Sequence, residues 1–372
     1  MREQLAASRG TPAAAQAIVA GVGETVRLGK PAMASDFEVI LNSGPASRLE
    51  AASAALDLVD QLEDQMSIYR FYSELSRLNG LAADGPVVVE RRLFELLERA
   101  VRYAFETDRA FDPTSGPLVS LWRQCKKEKR LPSEKEIGEA LERRGCEFVE
   151  FDHGALTIRF TRRGITLNVN AMGKGYALDR AAEILTARSP AFRRNEGQDD
   201  VQSGAEPAEA GTTSAGTTSA AIDDWLIHGG HSSILARGKH TGCEGWPVSI
   251  AHPLFPGRQL AVLLLKDRGM STSGSAVQFF RREGKRYGHI IDPRTGWPVD
   301  SMLSVTVLAP TAADAEALST AFFVLGVEKA REYCHNHKEI AALLVPAPAG
   351  GSRLEPVNCG IPEADLAFIP ER

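Results

Sequence analysis

Four short segments of this 372-residue chain are richer in glycine and polar groups than folding alone requires. The first, Asn168 to Tyr176 (NVNAMGKGY), stands between a strand-like run and a helical one. Its glycines expose backbone amides, a helix N-terminus favours phosphate oxygens, and Lys174 can pair with a phosphate. A tight strand-to-helix turn with a solvated lysine accounts for the same residues, and no Rossmann fingerprint or P-loop is present. The second, Met270 to Gly274 (MSTSG), sets consecutive hydroxyls beside a glycine, a pattern that binds phosphate or ribose or makes an ordinary loop. The third, Tyr287 to Gly296 (YGHIIDPRTG), brings His289 and Asp292 within reach of one site, with Arg294 and Thr295 as further donors. A histidine beside a carboxylate can orient a substrate or move a proton near neutral pH; an Asx-type turn is the structural alternative. In the fourth, DAEALSTAFFVLG, Glu316 and Thr320 stand four apart and so share one helix face. A carboxylate and a hydroxyl so placed suit a hard cation bound through oxygen.

Other tempting groups carry less. Cys334, His335 and His337 lack a second ligand cluster with zinc-finger spacing. His228 and His231 flank Gly229 and Gly230, where close backbone packing is sufficient reason for the glycines. No GxSxG elbow or HExxH motif occurs.

The elements that must position these residues are mixed. Met33 to Leu41 reads as a strand, and Ser47 with Glu50 reads as a capping box opening a helix that ends near Tyr69. A second helix is predicted from Val89 to Phe105, with Leu93, Leu96, Leu97, Ala100 and Ala104 facing inward. Lys126 to Arg144 is a charged excursion ending in a short helix from Pro132. Ala155 to Phe160 and Gly164 to Val169 look like a hairpin, and a helix follows the glycine-rich turn. A last helix runs from Ala312 to Leu325, capped by Thr311 and Asp314. Strands and helices do not alternate regularly, so the expected class is α+β. Residues 195 to 222 are small, polar and acidic with a near-repeat of GTTSA, and predict a disordered insertion.

Composition sets outer limits. A net charge of -5 argues against nucleic acid as the main partner, since phosphate binding needs concentrated basic charge. No run of 18 to 20 apolar residues occurs, so no helical membrane span is expected. Residues 1–31 read as a flexible arm and not a secretory signal, because the small apolar run near Ala13 is short and broken by Gln16. Five scattered cysteines fit free thiols in a reducing compartment, hence a cytoplasmic location.

Taken together and in order, the segments resemble the ApbE family, the FAD:protein FMN transferases. The likeness is carried by MASDFEVIL from Met33, MSIYRFYSELSRLN from Met66, FDPTSGPLVSLW from Phe111 and NVNAMGKGYALDRAAEIL from Asn168. It continues through GG at Gly229, STSG at Ser271, HIIDPRTGWPV at His289 and SVTVLAPTAADAEALSTAFFVLG at Ser304. It spans Ala32 to Leu344 without the insertion, which implies one domain over 32–345 and a C-terminal extension over 346–372. The resemblance implies a T-fold-like α+β architecture with mixed sheets and packed helices, and FAD in a cleft with Mg²⁺ on its pyrophosphate. The implied reaction moves FMN to a threonine hydroxyl of an acceptor protein and releases AMP. Some members instead hydrolyse FAD to FMN and AMP, and a third reading is an FAD-binding protein with weak or lost catalysis.

Carried over by position, Met33 and Tyr69 would line the flavin end, and Lys174, Gly175, Ser273 and Arg294 would contact the cofactor. Gly173, Glu316 and Thr320 would hold the metal, and His289 with Asp292 would serve catalysis, His289 deprotonating the incoming hydroxyl. The departures from the family pattern are Ala34 for glycine, Tyr72 for a polar residue, Asn168 for aspartate, Asn170 and Ala171 for a glycine pair, and His231 for aspartate. Glu316 stands for aspartate, one methylene longer, which favours an ion more tolerant of geometry than Mg²⁺, such as Mn²⁺.

Overall fold

In the computed structural model, which describes residues 23–187, 222–275, 279–282, 284–348 and 353–370, the apolar runs assemble around one large antiparallel sheet. Its eight strands lie in the order β1 (Thr25–Ala32), β2 (Ser35–Asn42), β6 (Trp225–Gly229), β7 (Ser233–Arg237), β10 (Gly269–Gly274), β13 (Met302–Ala309), β14 (Ala341–Pro346) and β15 (Val357–Cys359). Smaller sheets are formed by β3 (Val87–Val88), β5 (Thr157–Phe160) and β4 (Val149–Asp152), and by β16 (Leu366–Phe368), β9 (Gln259–Leu265) and β8 (Trp246–Ala251). A separate hairpin joins β11 (Phe279–Arg282) to β12 (Lys285–Gly288).

Both faces of the large sheet are covered. On one, Phe37, Val39, Ile227, Val305 and Val307 pack in a common core with the helices α1 (Ser47–Met66), α6 (Gly173–Thr186) and α7 (Ala312–Leu325). On the other, Ile40, Leu226, Ile234, Leu308 and Leu343 meet Val248, Ile250, Leu260 and Leu263 of the β8–β9 layer. A strand buried on both faces needs no polar face, which is why β13 is buried along nearly its whole length. The same enclosure explains α7: twelve of its residues are buried, so apolar residues surround it except where Asp314, Glu316, Ser319 and Thr320 interrupt them. The remaining helices, α2 (Glu74–Leu81), α3 (Arg91–Glu106), α4 (Gly116–Glu128), α5 (Glu134–Glu142) and α8 (Val327–Asn336), complete an α+β fold. Among the described residues no helix is long and apolar enough to cross a membrane.

Several local expectations are corrected. Ser47 does not cap α1: Arg48 and Leu49 already donate to Pro45 and Ala46, so Ser47 is helical and Ala46 takes the cap position without a side-chain bond. The hairpin of this region is β4–β5, and Gly164 to Val169 adds no strand. Ile165, Leu167 and Val169 are buried alternately as in a strand, but the backbone bonds go elsewhere. The Asn79 side chain accepts from Leu167 N at 2.8 Å and donates to Leu167 O at 2.9 Å, and Asn168 N donates to Pro113 O at 2.8 Å. Asn79 therefore positions the segment that leads into α6. The arm expected over 1–31 contains β1, paired in full register with β2. The C-terminal extension folds back as β15 on β14 and β16 on β9. The expected disordered insertion, apart from the buried Ile222, and the start of the arm lie outside the described residues.

Candidate active site

The N-terminal turns of α6 and α7 cross in close contact, and each helix satisfies free amides of the other. The cap residue of α6, Met172, offers no side-chain acceptor, so its first turn has orphan N–H groups. Glu316 of α7 supplies one acceptor, taking Gly175 N onto Oε2 at 2.7 Å. In return Asp179 of α6 accepts from Ala312 N at 2.7 Å and Ala313 N at 3.0 Å, while Thr311 accepts from Asp314 N as the cap of α7. The helices touch backbone to backbone: a methyl on Gly175 would lie 2.3 Å from the Ala312 carbonyl oxygen. Burial pushes the Asp179 carboxyl up to about 7, against the two amides and the Arg99 charge that favour its ionised form. Asp179 carried no signal in the motif reading, because its role is set by a partner 133 residues away.

Beside this crossing lies an open cleft of ≈ 670 Å³. Glu316, only 5% exposed, faces it with three donors already in place. Its Oε1 accepts from Lys174 Nζ at 2.6 Å and Ser233 Oγ at 3.3 Å, and its Oε2 from Gly175 N. The extra methylene of glutamate is used to span from α7 to the first turn of α6. One turn on, Thr320 donates to the Glu316 carbonyl at 3.2 Å, which confirms that the two residues share the cleft-facing side of α7. From β10, Ser273 lies 2.9 Å from Ser319 Oγ and 3.4 Å from Thr320 Oγ1, and Ser271 is 3.4 Å from Ser319. The cleft floor is thus one ammonium, one carboxylate and a connected row of hydroxyls. Ser233 and Ser319 join it without any motif of their own.

The structure separates the residues of the HIIDPRTG loop. His289 is exposed and lines the cleft with Ile290, Ile291 and Pro293. Asp292 does not reach it. Its carboxylate takes both Arg294 Nε at 2.9 Å and Nη2 at 2.8 Å as well as Arg294 N, and its carbonyl accepts from Gly296 N. This is the Asx-type turn, closed by a fork-to-fork ion pair. Arg294 is thereby directed to Asp292, outside the cleft lining.

Four further residues sit apart from the cleft surface. Gly173 and Gly175 are buried within the first turn of α6, beneath Lys174. Met33 occupies the β1–β2 turn with φ 50°, followed by Ala34 at φ 55°, and its amide donates to Glu63 at 2.7 Å. Two consecutive positive φ values make the type I′ hairpin turn that ordinarily calls for Asn-Gly, so Ala34 is held where a glycine would rest without strain. Tyr69 is 66% exposed and lines an adjoining hollow that shares Val119, Arg123 and Asn168 with the cleft. Its hydroxyl accepts from Arg123 Nη2 at 2.9 Å. The cleft wall opposite the floor was not foreseen: Trp122 of α4 stacks on Tyr287 at 5.8 Å and lies 6.1 Å from Phe280. The indole N–H donates to Gly296 O at 2.7 Å, tying α4 to the end of the Asp292 turn.

Among the described residues no three His, Cys, Asp or Glu side chains converge as a ready-made metal cage. Mg²⁺, however, commonly takes one or two carboxylates together with substrate phosphates and water. Glu316 and Thr320 at the cleft surface offer the hard oxygen donors for that mode.

Residues 33–191 and 213–344 match the ApbE family. The FAD:protein FMN transferase of Treponema pallidum is 32% identical over 324 residues, 82% of this chain and 80% of that protein. That of Haemophilus influenzae is 28% identical over 79% of this chain and 78% of its own length. The crystal structure of the ApbE protein of Thermotoga maritima superposes with a TM-score of 0.70 at 26% identity, covering 89% of this chain and 96% of that one. The fold is therefore the T-fold-like one expected, and the chain belongs to the ApbE family.

Proposed function

We propose that the chain binds FAD in this cleft and transfers its FMN moiety to a threonine hydroxyl of an acceptor protein, releasing AMP. The observation that carries the reading is the convergence of Lys174, Ser273, Glu316, Thr320 and His289 on one cleft. The names of the matched relatives support it. Lys174, Ser273 and Thr320 offer one charge and two hydroxyls to the FAD diphosphate, an arrangement suited to the charge that grows as the phosphoanhydride breaks. Gly175 acts from beneath by fixing the height of Lys174, and Tyr69 and Met33 bound the approach to the flavin end. His289 takes the proton as the threonine oxygen attacks the phosphorus of the FMN half. The new bond is a phosphoester, the bond broken joins that phosphorus to the AMP phosphate oxygen, and AMP leaves. Asp292 and Arg294 act on the geometry of the loop that carries His289.

We assign Mg²⁺, or Mn²⁺ as an ion more tolerant of the longer Glu316 side chain, to Glu316 and Thr320 beside Gly173. The ion, when bound, offsets negative charge on the diphosphate. An ion held there would share the Glu316 carboxylate with Lys174, which lies 2.6 Å from Oε1. The five cysteines are buried and none is in a disulfide among the described residues, which suits the cytoplasm as the working compartment.

A second reading, an FAD binder with weak catalysis, is favoured by the three donors that already satisfy Glu316 and by Asn168 in place of an acid. The test is AMP release from FAD with Mg²⁺, Mn²⁺ or EDTA, with and without a threonine-bearing peptide. Metal-dependent AMP with flavin left on the peptide supports the transfer; AMP with free FMN makes the chain a hydrolase. Saturable FAD binding without AMP sinks the enzymatic reading.

A further inference from the structure

Two basic stretches of this acidic chain, residues 123–127 and 281–286, carry residues that line the same cleft or stand beside its lining; Arg130, just beyond the first, is paired with Glu128 and Glu136. They are brought together by the contact of Trp122 with Phe280 and Tyr287, all of which line the cleft along with Arg123 and Lys126. The β11–β12 register sets Arg281 opposite Arg286 and Arg282 opposite Lys285. Like charges directly across a two-stranded ribbon are destabilising, so folding alone gives no reason for them. Arg281 and Arg286 both lie over the Phe279 ring, at 5.8 Å and 4.0 Å, and are not neutralised by it. Lys126 and Lys127 form no ion pair among the described residues, and Arg123 spends its hydrogen bond on the neutral Tyr69 hydroxyl. Lys285 has Asp300 at 3.2 Å, both exposed, a pairing that water largely screens.

Lys174 on the cleft floor and Arg123 and Lys126 along its lining are placed to serve a dinucleotide bound in the cleft. Lys127 and Arg282, however, are exposed and outside the cleft lining, where a ligand buried in the cleft would not touch them. What does pass them is the chain that delivers the acceptor hydroxyl from solvent.

We infer that this cationic rim docks an acidic segment of the acceptor protein, aspartate or glutamate residues flanking the target threonine. The inference rests on the transferase reading and adds the charge of its second substrate. Such a surface steers encounter and selects partners by sign, and its contribution falls as salt screens it.

The experiment uses the full chain with FAD and two labelled peptides, one with a central threonine flanked by aspartates, the other by asparagines. Anisotropy reports binding, and AMP is followed in the same samples. The aspartate peptide is expected to bind about tenfold tighter at low salt and to lose that advantage at high salt. The double variant Lys127→Glu/Arg282→Glu should abolish or reverse the preference, with FAD affinity measured alongside as the control. Equal affinity for the two peptides, including no binding of either, overturns the inference, as does a preference that survives charge reversal. AMP absent in every arm while the preference persists would overturn the transferase reading and leave the docking surface standing.

Discussion

At the floor of the cleft Glu316 is 5% exposed and accepts from three donors, whereas, in the loop after Tyr69, Phe71 is 91% exposed and meets Tyr72, itself exposed, edge-on at 5.4 Å. The floor is built from two helices whose N-termini cap each other, so every polar group there has a structural duty before any ligand arrives. The exposed aromatic loop and the exposed cations Lys127 and Arg282 lie outside the cleft lining and carry little of the fold. In this protein the residues that would hold the nucleotide are thus also stability residues, and those that would select a partner are not. Substitutions should separate the two regions by the observable they move.

The largest expected effect is at the helix crossing. Gly175→Ala places a methyl against the Ala312 carbonyl and the Ala313 amide, both backbone, so the helices must part. A loss of about 3 kcal/mol is expected in urea denaturation. Lys174→Met leaves Glu316 buried without its counter-charge. Lys174 faces the cleft water, so the cost is discounted to about 2 kcal/mol. Adding Glu316→Gln should recover most of it while FAD affinity stays low. A loss in affinity with no loss in stability would break the claim that the floor does both jobs.

The pH dependence of stability tests the same crossing. Burial raises the folded Asp179 carboxyl from 3.8 to about 7, so between those values the folded protein binds the extra proton. Stability therefore falls as pH rises through that window and is flat above it. The value of about 7 already includes the amides of Ala312 and Ala313, which favour the charged form, so we expect a decline on the order of 4 kcal/mol across the window. Asp179→Asn keeps an acceptor for the amides and should remove that slope.

At the edge of the sheet, Ala34→Gly relieves a left-handed alanine and should stabilise by about 1 kcal/mol. Smallest of all, Phe71→Ser in the exposed loop after Tyr69 should change stability by less than about 0.5 kcal/mol. A large loss there would show that the exposed aromatic loop is part of the fold.

The fold class and the last helix were legible because they depend on local signals: α7 runs over Ala312–Leu325 with Thr311 as its cap, as its sequence predicts. Ser273, Glu316 and Thr320 were found by type and spacing, and they meet. What the sequence did not disclose depends on distant partners. Asp179 and Asn79 look like surface polars until Ala312 and Leu167 are placed beside them. The extended run at Gly164 to Val169 has strand periodicity, yet its backbone bonds go to a side chain. Asp292 has the composition of an acid–base partner, but Arg294, two residues on, holds it in a turn. The aromatic wall needed two segments more than 150 residues apart to meet, Trp122 and the β11–β12 hairpin.

The central claim is that one cleft binds FAD and passes its FMN half to a hydroxyl under the hand of His289. It is tested most directly by mass spectrometry of a threonine peptide after incubation with FAD, metal and either the parent chain or His289→Asn. The account predicts an FMN-modified threonine and equimolar AMP with the parent chain, and FAD still bound but transfer slowed at least about a hundredfold with the variant. Equal transfer by both would remove His289 from the chemistry, and a modified peptide from neither, with FAD bound, would contradict the transferase account itself.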